Sequence, residues 1–226
     1  MFDFHTTLVD GGDPHEWLAL ASAATGAPLP IHLDAAAHFL HNVWEHAGDV
    51  DPDSSRDLSP ADHRRVFDEL MAHAREAEGV DIDPALAAEL YRIMPEQWHP
   101  YADALPVLRS LRAAGLRIAL ISNVGIEVAH ILDRTGLAEF LDAVVLSCHV
   151  GAVKPDPVIF ERALADLRVE PRHALMVGDS QVADAGAVGC GVRTLLLPRT
   201  QGRIRGLDIV CRVAGVAYDP DAVPGP

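Results

Sequence analysis

The chain predicts a doubly wound parallel α/β (Rossmann-like) core with an α-helical module inserted near its start, and three observations carry that prediction. From residue 103 onward, runs that are apolar throughout alternate with amphipathic segments of helical length, the pattern of a parallel sheet covered on both faces. Residues 11 to about 98 instead show helical periodicity and no convincing strand. Finally, Asp3, Ser122, Lys154 and Asp179 all fall at or just after predicted strand ends. In a parallel sheet such positions converge on one edge, where ligands bind in this architecture.

The elements follow in order. In the inserted module, DAAAHFLHNVWEHA, SPADHRRVFDELMAHAREAEG and DPALAAELYRIM each carry apolar residues three and four apart, and Ser59 with Pro60 makes a good cap and first turn. His38, His41 and His46 lie on one predicted helix, but their spacing defines no single metal-binding face, so they read as a solvated or partner-facing surface. Trp17, Trp44 and Trp98 read as packing residues of the core or the hinges. In the core, DALPVLRSLRAAG is a predicted helix stopped by Gly115, and LRIALISN is a strand ending in polar residues. IEVAHILDRTG is a helix ending near Gly136, AVVLS a strand and DPVIFERALADL a helix. HALMVGD follows as a strand, DAGAVGCG as a small-residue helix and RTLLLP as the last strand. Arg199, just after it, could reach a substrate anion but reads first as a surface arginine, and the tail from Tyr218 reads as frayed.

Composition narrows the function classes. With 226 residues, 49% hydrophobic and 23% charged, the chain has an ordinary globular make-up and enough length for one full core plus an accessory module. A formal charge of -15 argues against a nucleic-acid partner, which selects stripes of Lys and Arg. An anionic substrate would need local positive charge to overcome that field. Cys148, Cys190 and Cys211 are too few and too scattered for a disulfide framework or a thiolate metal site. No stretch reaches the roughly 18 apolar residues of a membrane span, and the start lacks a basic region followed by an apolar run. The expectation is a soluble cytoplasmic protein with no membrane partner.

Four short segments then stand in one order: FDFHTTL at 2 to 8, LISN at 120 to 123, GAVKPDP at 151 to 157 and VGDSQVAD at 177 to 184. Together they resemble the four active-site motifs of the haloacid dehalogenase-like hydrolase superfamily, in its phosphatase-type form with a helical cap inserted after the first motif. The ordered combination is far more specific than any one segment, since a lone strand-end Asp is more often a helix cap or surface charge. The resemblance implies a core of residues 1–10 and 99–226 and a cap of residues 11–98, hinged near Gly11, Gly12 and His99 to Asp103, that closes over the site and selects the substrate. In the superfamily a buried central strand precedes the nucleophile, yet only Met1 and Phe2 stand before Asp3. Either that strand is unusually short or the native start lies upstream.

The residues suit that chemistry. A carboxylate can attack phosphorus and split one hard displacement into two easier ones; the resemblance makes Asp3 this nucleophile. Two anions approaching each other need a cation between them, supplied by Mg²⁺ on hard oxygen ligands. The implied ligands are Asp3, Asp179 and the main-chain carbonyl of His5. Lys154 would neutralise the nucleophile and the phosphoryl oxygens, while Thr7, Ser122 and Asn123 would join it in binding the phosphoryl group. Asp184 would orient Lys154 or stand behind the metal.

Departures cluster in the first motif. His5 replaces the family's acid/base aspartate, Thr6 occupies the usual glycine position at a tight exit from the strand, and His149 stands where many relatives carry an acid. Histidine can itself cycle protons near neutral pH, although a nearby divalent cation disfavours the imidazolium and so weakens the acid role. The haloacid dehalogenases also lack that acid, but they are metal-independent and do not resemble this chain at Gly178–Asp179. The sequence therefore points to Mg²⁺-dependent hydrolysis of a small phosphorylated metabolite by a monomer or homodimer. The alternatives are a catalytically impaired binding or scaffold protein and, third, a 2-haloacid dehalogenase-type hydrolase.

Overall fold

The computed structural model describes residues 1–200 and 202–220. The chain forms two compact units: Met1–Asp10, Pro100–Asn123 and Val128–Pro226 make one, and Gly11–His99 with Val124–Glu127 make the other. The expectation of a frayed tail falls outside the described residues from 221 onward.

The first unit is an α/β fold whose sheet is assembled around the N-terminus. Ala119–Ser122 pairs in parallel with Ala143–Leu146, and Leu175–Gly178 pairs in parallel with Arg193–Leu196. Met1 to Asp3 joins the two pairs, because Phe2 bridges both Leu120 and Val177 in parallel sense. The Phe2 and Asp3 N–H groups donate to the Ala119 and Val177 carbonyls at 2.8 and 2.9 Å, and the Ile121 N–H donates back to Phe2 at 2.8 Å. Asp3 therefore ends the central strand, between the ends of Ala119–Ser122 and Leu175–Gly178.

One face of the sheet buries Met1, Ala119, Ile121, Val145 and Met176 against Ile159, Phe160, Ala163 and Leu167 of the helix Pro157–Leu167. That helix starts where it does because the Asp156 carboxylate accepts the Val158 N–H at 2.9 Å and Pro157 occupies its first turn. The helix Ala104–Ala113 buries Val107, Leu108 and Leu111 and ends before Gly115, whose φ of 79° reverses the chain. The expected small-residue helix is present at Asp184–Cys190 and is of the 3₁₀ type, consistent with the poor α-propensity of its glycines. Its smallness has a use: a Cβ on Gly186 would meet the Pro155 Cβ at 2.5 Å. Asp208–Ala214 is a helix that the sequence reading did not anticipate, burying Val210 and Cys211.

The second unit is helical, with Pro14–Thr25, Leu33–His41, Ala47–Val50, Pro60–Glu78 and Pro84–Ile93 as its helices. Three begin on the same device, a side-chain acceptor followed by proline: Asp13 with Pro14, Ser59 with Pro60, and Asp83 with Pro84. Leu18, Phe39, Phe67, Leu70, Leu86 and Leu90 form its buried interior, and Trp17 Nε1 donates to the Leu90 carbonyl at 3.0 Å. The helix expected through DAAAHFLHNVWEHA breaks at Asn42. Its Nδ2 donates to the His38 carbonyl at 3.1 Å, and its N–H takes the last free carbonyls of the turn, so the side chain closes the helix instead of continuing it. His46 consequently leaves the helix that carries His38 and His41. Val124–Glu127 packs in this unit too, where a Cβ on Gly125 would collide with the Arg56 carbonyl. Among the described residues, no helix is long and apolar enough to cross a membrane.

Candidate active site

The carboxyl edge of the sheet gathers three of the predicted carboxylates around one lysine. Lys154 is 4% exposed, and its Nζ donates to Asp3 Oδ1 at 2.6 Å, Asp184 Oδ1 at 2.6 Å and the Ile121 carbonyl at 3.1 Å. All three ammonium hydrogens are thus directed. Burial alone would lower the Lys154 pKa, but Asp3 and Asp184 outweigh it and hold the ammonium above its usual value. Asp3 shows the opposite balance. Burial pushes its carboxyl up to about 6, opposed by Lys154 and reinforced by Asp184 and Asp179.

Local sequence explains each placement. Lys154 is braced through its backbone by Asn123, whose Oδ1 accepts the Lys154 N–H at 2.7 Å and whose Nδ2 donates to the Lys154 carbonyl at 3.0 Å. The Asn123 carboxamide is therefore engaged in positioning the lysine. Asp184 Oδ1 takes the lysine, while Oδ2 accepts the Asp179 and Ser180 N–H groups at 3.0 and 2.9 Å. This folds the 179–184 turn over itself and requires glycine at 178, since a Cβ there would collide with Asp184 Oδ2. Asp179 Oδ2 accepts from Arg199 Nε at 2.9 Å; the arginine is exposed, as expected of a surface residue, and pairs with Asp179 from the solvent side.

The turn after Asp3 is held differently. Thr6 has a φ of 63°, a conformation costly for a β-branched residue. Its N–H donates to the Val9 carbonyl at 2.7 Å and its Oγ1 to the His5 carbonyl at 2.6 Å. The Thr6 carbonyl accepts from Arg205 Nε at 2.7 Å. Arg205 is 2% exposed; its Nη1 and Nη2 donate to the Pro198 and Leu197 carbonyls. Asp103 fixes that arginine by accepting the N–H groups of Arg205, Gly206 and Leu207 at 2.7 to 2.9 Å.

Asp3, Lys154, Asp179 and Asp184 are therefore brought together, with Ser122 buried at the end of the adjacent strand. His5 is half-buried in the turn. Thr7 is fully buried, and its Oγ1 has no hydrogen-bond partner among the described residues. Arg205 and Asp103 were missed from the sequence: nothing in RIRGLD or YADAL distinguishes a buried clamp from surface charge.

The cluster suits a hard cation. Asp3, Asp179 and Asp184 each offer a carboxylate oxygen, all within 4.8 Å of one another, and Lys154 and Arg199 leave the three carboxylates incompletely balanced. Oxygen donors with residual negative charge are what Mg²⁺ selects.

A buried lysine joins Asp3, at the end of the central strand, to Asp184, at the start of a 3₁₀ helix, and the matched family is one of hydrolases. The chain belongs to the haloacid dehalogenase-like hydrolases, whose family model matches residues 1–189. Among its relatives, haloacid dehalogenase-like hydrolase domain-containing protein 3 of Bos taurus is 36% identical over 130 residues, 56% of this chain and 51% of the relative. A glyceraldehyde 3-phosphate phosphatase of Methanopyrus kandleri is 32% identical over 145 residues, 62% of this chain and 60% of that protein. The chain thus spans about half to three-fifths of the length of these relatives. The crystal structure of a phosphatase of this superfamily from Thermococcus onnurineus superposes with a TM-score of 0.61 at 25% identity, covering 96% of this chain and 98% of the other.

Proposed function

We propose that the protein is a Mg²⁺-dependent phosphatase of small phosphorylated metabolites that works through an aspartyl-phosphate on Asp3. The observation that carries this reading is the Lys154 ammonium held at 2.6 Å from both Asp3 and Asp184. It neutralises the nucleophile without occupying it fully: Lys154 takes Oδ1, which leaves Oδ2 for in-line attack. The new bond joins Asp3 Oδ2 to phosphorus as the bond to the leaving oxygen breaks, and water then cleaves the acyl phosphate to restore Asp3. Lys154 and the hydroxyl of Ser122 stabilise the phosphoryl oxygens. The Asp3 and Asp179 carboxylates and the His5 carbonyl would hold Mg²⁺; that carbonyl also accepts Thr6 Oγ1. When bound, the metal supplies charge that lets the phosphate dianion approach Asp3. His5 takes the proton-transfer role where the leaving oxygen needs one. The Methanopyrus relative, a phosphatase of a small sugar phosphate by name, supports the substrate class.

Phosphate release from a panel of monoesters and acyl phosphates, with Mg²⁺ or chelator, tests this. Metal-dependent turnover in the parent and none in Asp3→Asn is the expected result; turnover unaffected by Asp3→Asn contradicts it. The histidine at position 5 favours a second reading, phospholigand binding without turnover. Its signature is a Mg²⁺-dependent thermal shift with phosphate mimics in a protein that releases no phosphate. Halide release from a 2-haloacid without metal would instead establish a dehalogenase.

A further inference from the structure

The helical unit places two histidines and an aspartate from separate elements in one small region. His46 stands at the start of Ala47–Val50, and Asp49 lies three residues later, the spacing that puts two side chains on one face of a helical turn. His73 comes from the neighbouring helix Pro60–Glu78. Its Nε2 lies 3.9 Å from Asp49 Oδ2, and its ring centroid lies 6.3 Å from that of His46 at a 42° tilt. One ligand atom from each of the three falls within 4.8 Å of the others. The break at Asn42 creates this arrangement by taking His46 off the preceding helix.

The region is supported on one side and open on the other. The His46 ring stacks on Phe39 with centroids 5.2 Å apart, and Phe39 is fully buried. The Asp49 side chain is 64% exposed and that of His73 27% exposed. The 3.9 Å separation of Asp49 and His73 exceeds hydrogen-bond length, so this ion pair is not closed on itself.

We propose that His46, Asp49 and His73 bind a divalent cation of the zinc type. Two imidazole nitrogens and one carboxylate oxygen are a donor set that borderline ions select, and three protein ligands leave a position for water. Bonds of about 2.0–2.2 Å would bring the ligand atoms to about 3.3 Å of one another, a closure that rotamer adjustment of the exposed Asp49 and the half-buried His73 would supply. The Asp3–Asp179 cluster differs in kind, since its all-oxygen donors suit Mg²⁺. Ligand hardness thus sorts two ions to two sites, and the zinc-type ion ties the 42–50 segment to the long helix.

Equilibrium dialysis of Zn²⁺ against the full-length protein, with Mg²⁺ in large excess, tests the assignment. The parent and Asp179→Asn should each retain one Zn²⁺ with matching affinity. His46→Ala, His73→Ala and Asp49→Asn should each bind it at least about tenfold more weakly and lose the Zn²⁺-dependent thermal shift. Asp49→Asn is sterically matched at an exposed position, so it separates ligand loss from misfolding. Parental Zn²⁺ affinity in Asp49→Asn and His73→Ala, or loss of Zn²⁺ in Asp179→Asn alone, would overturn the site.

Discussion

Among the described residues of the α/β unit, the Lys154 and Arg205 side chains are buried cations, and they are held in contrasting ways. Lys154 meets two carboxylates and one carbonyl, whereas the Arg205 guanidinium meets the carbonyls of Thr6, Leu197 and Pro198 and stands over the Tyr101 ring at 6.0 Å. A compact ammonium among carboxylates cancels charge; a planar fork across carbonyls fixes the relative positions of separate segments. The difference assigns electrostatics to Lys154 and geometry to Arg205. It also explains how Thr6 tolerates its positive φ, since the arginine holds the carbonyl of that residue.

The largest expected effect comes from removing the charge at Lys154. Lys154→Met should reduce metal-dependent phosphate release by about 10³-fold, read in a steady-state assay; near-parental turnover would break the distinction between the two cations. Arg205→Met comes next. It leaves the carbonyls of Thr6, Leu197 and Pro198 without their donor, Leu197 being the buried residue among them, and should destabilise the fold by about 2 kcal/mol in chemical denaturation. Arg205→Lys, which keeps the charge but loses the fork, should recover only part of that.

Asp3 sharpens the comparison through pH. Its folded pKa, raised from 3.8 to about 6, means the folded state favours protonated Asp3. That stabilising contribution is complete below about pH 4 and is lost as pH rises through about 6. The thermal midpoint of metal-free Asp3→Asn, compared with the parent, should therefore fall less between these limits. The smallest effect is expected at Thr6→Gly, which relieves the positive φ at the loss of one hydroxyl bond to His5. A gain of about 0.5–1 kcal/mol in denaturation is expected; a loss would show that the Thr6 hydroxyl outweighs the backbone strain.

The contrast also marks what the sequence could disclose. Apolar strands with polar ends placed Asp3, Lys154 and Asp179 on one sheet edge, because period and strand direction are local properties. Gly178 and the small residues after Asp184 were legible as a run, but their reason, the passage of the Asp184 carboxylate and of Pro155, is a contact between distant segments. Arg205 acts on Thr6 across most of the chain, so no local pattern could announce it. Apolar periodicity through Val43 predicts an interior helix position for Asn42; its side-chain bond to His38 decides otherwise. Arg199 is the surface arginine the sequence predicts, and its partner, Asp179, is set by the fold of the turn.

Nucleophilic attack by Asp3 can be observed by acid-quenching the Mg²⁺-loaded protein with an acyl phosphate and locating any covalent phosphoryl group by peptide mass. One phosphoryl group is expected on the peptide containing Asp3, absent in Asp3→Asn and in chelator. Turnover with no phosphorylated peptide, or with the group on another residue, would contradict it.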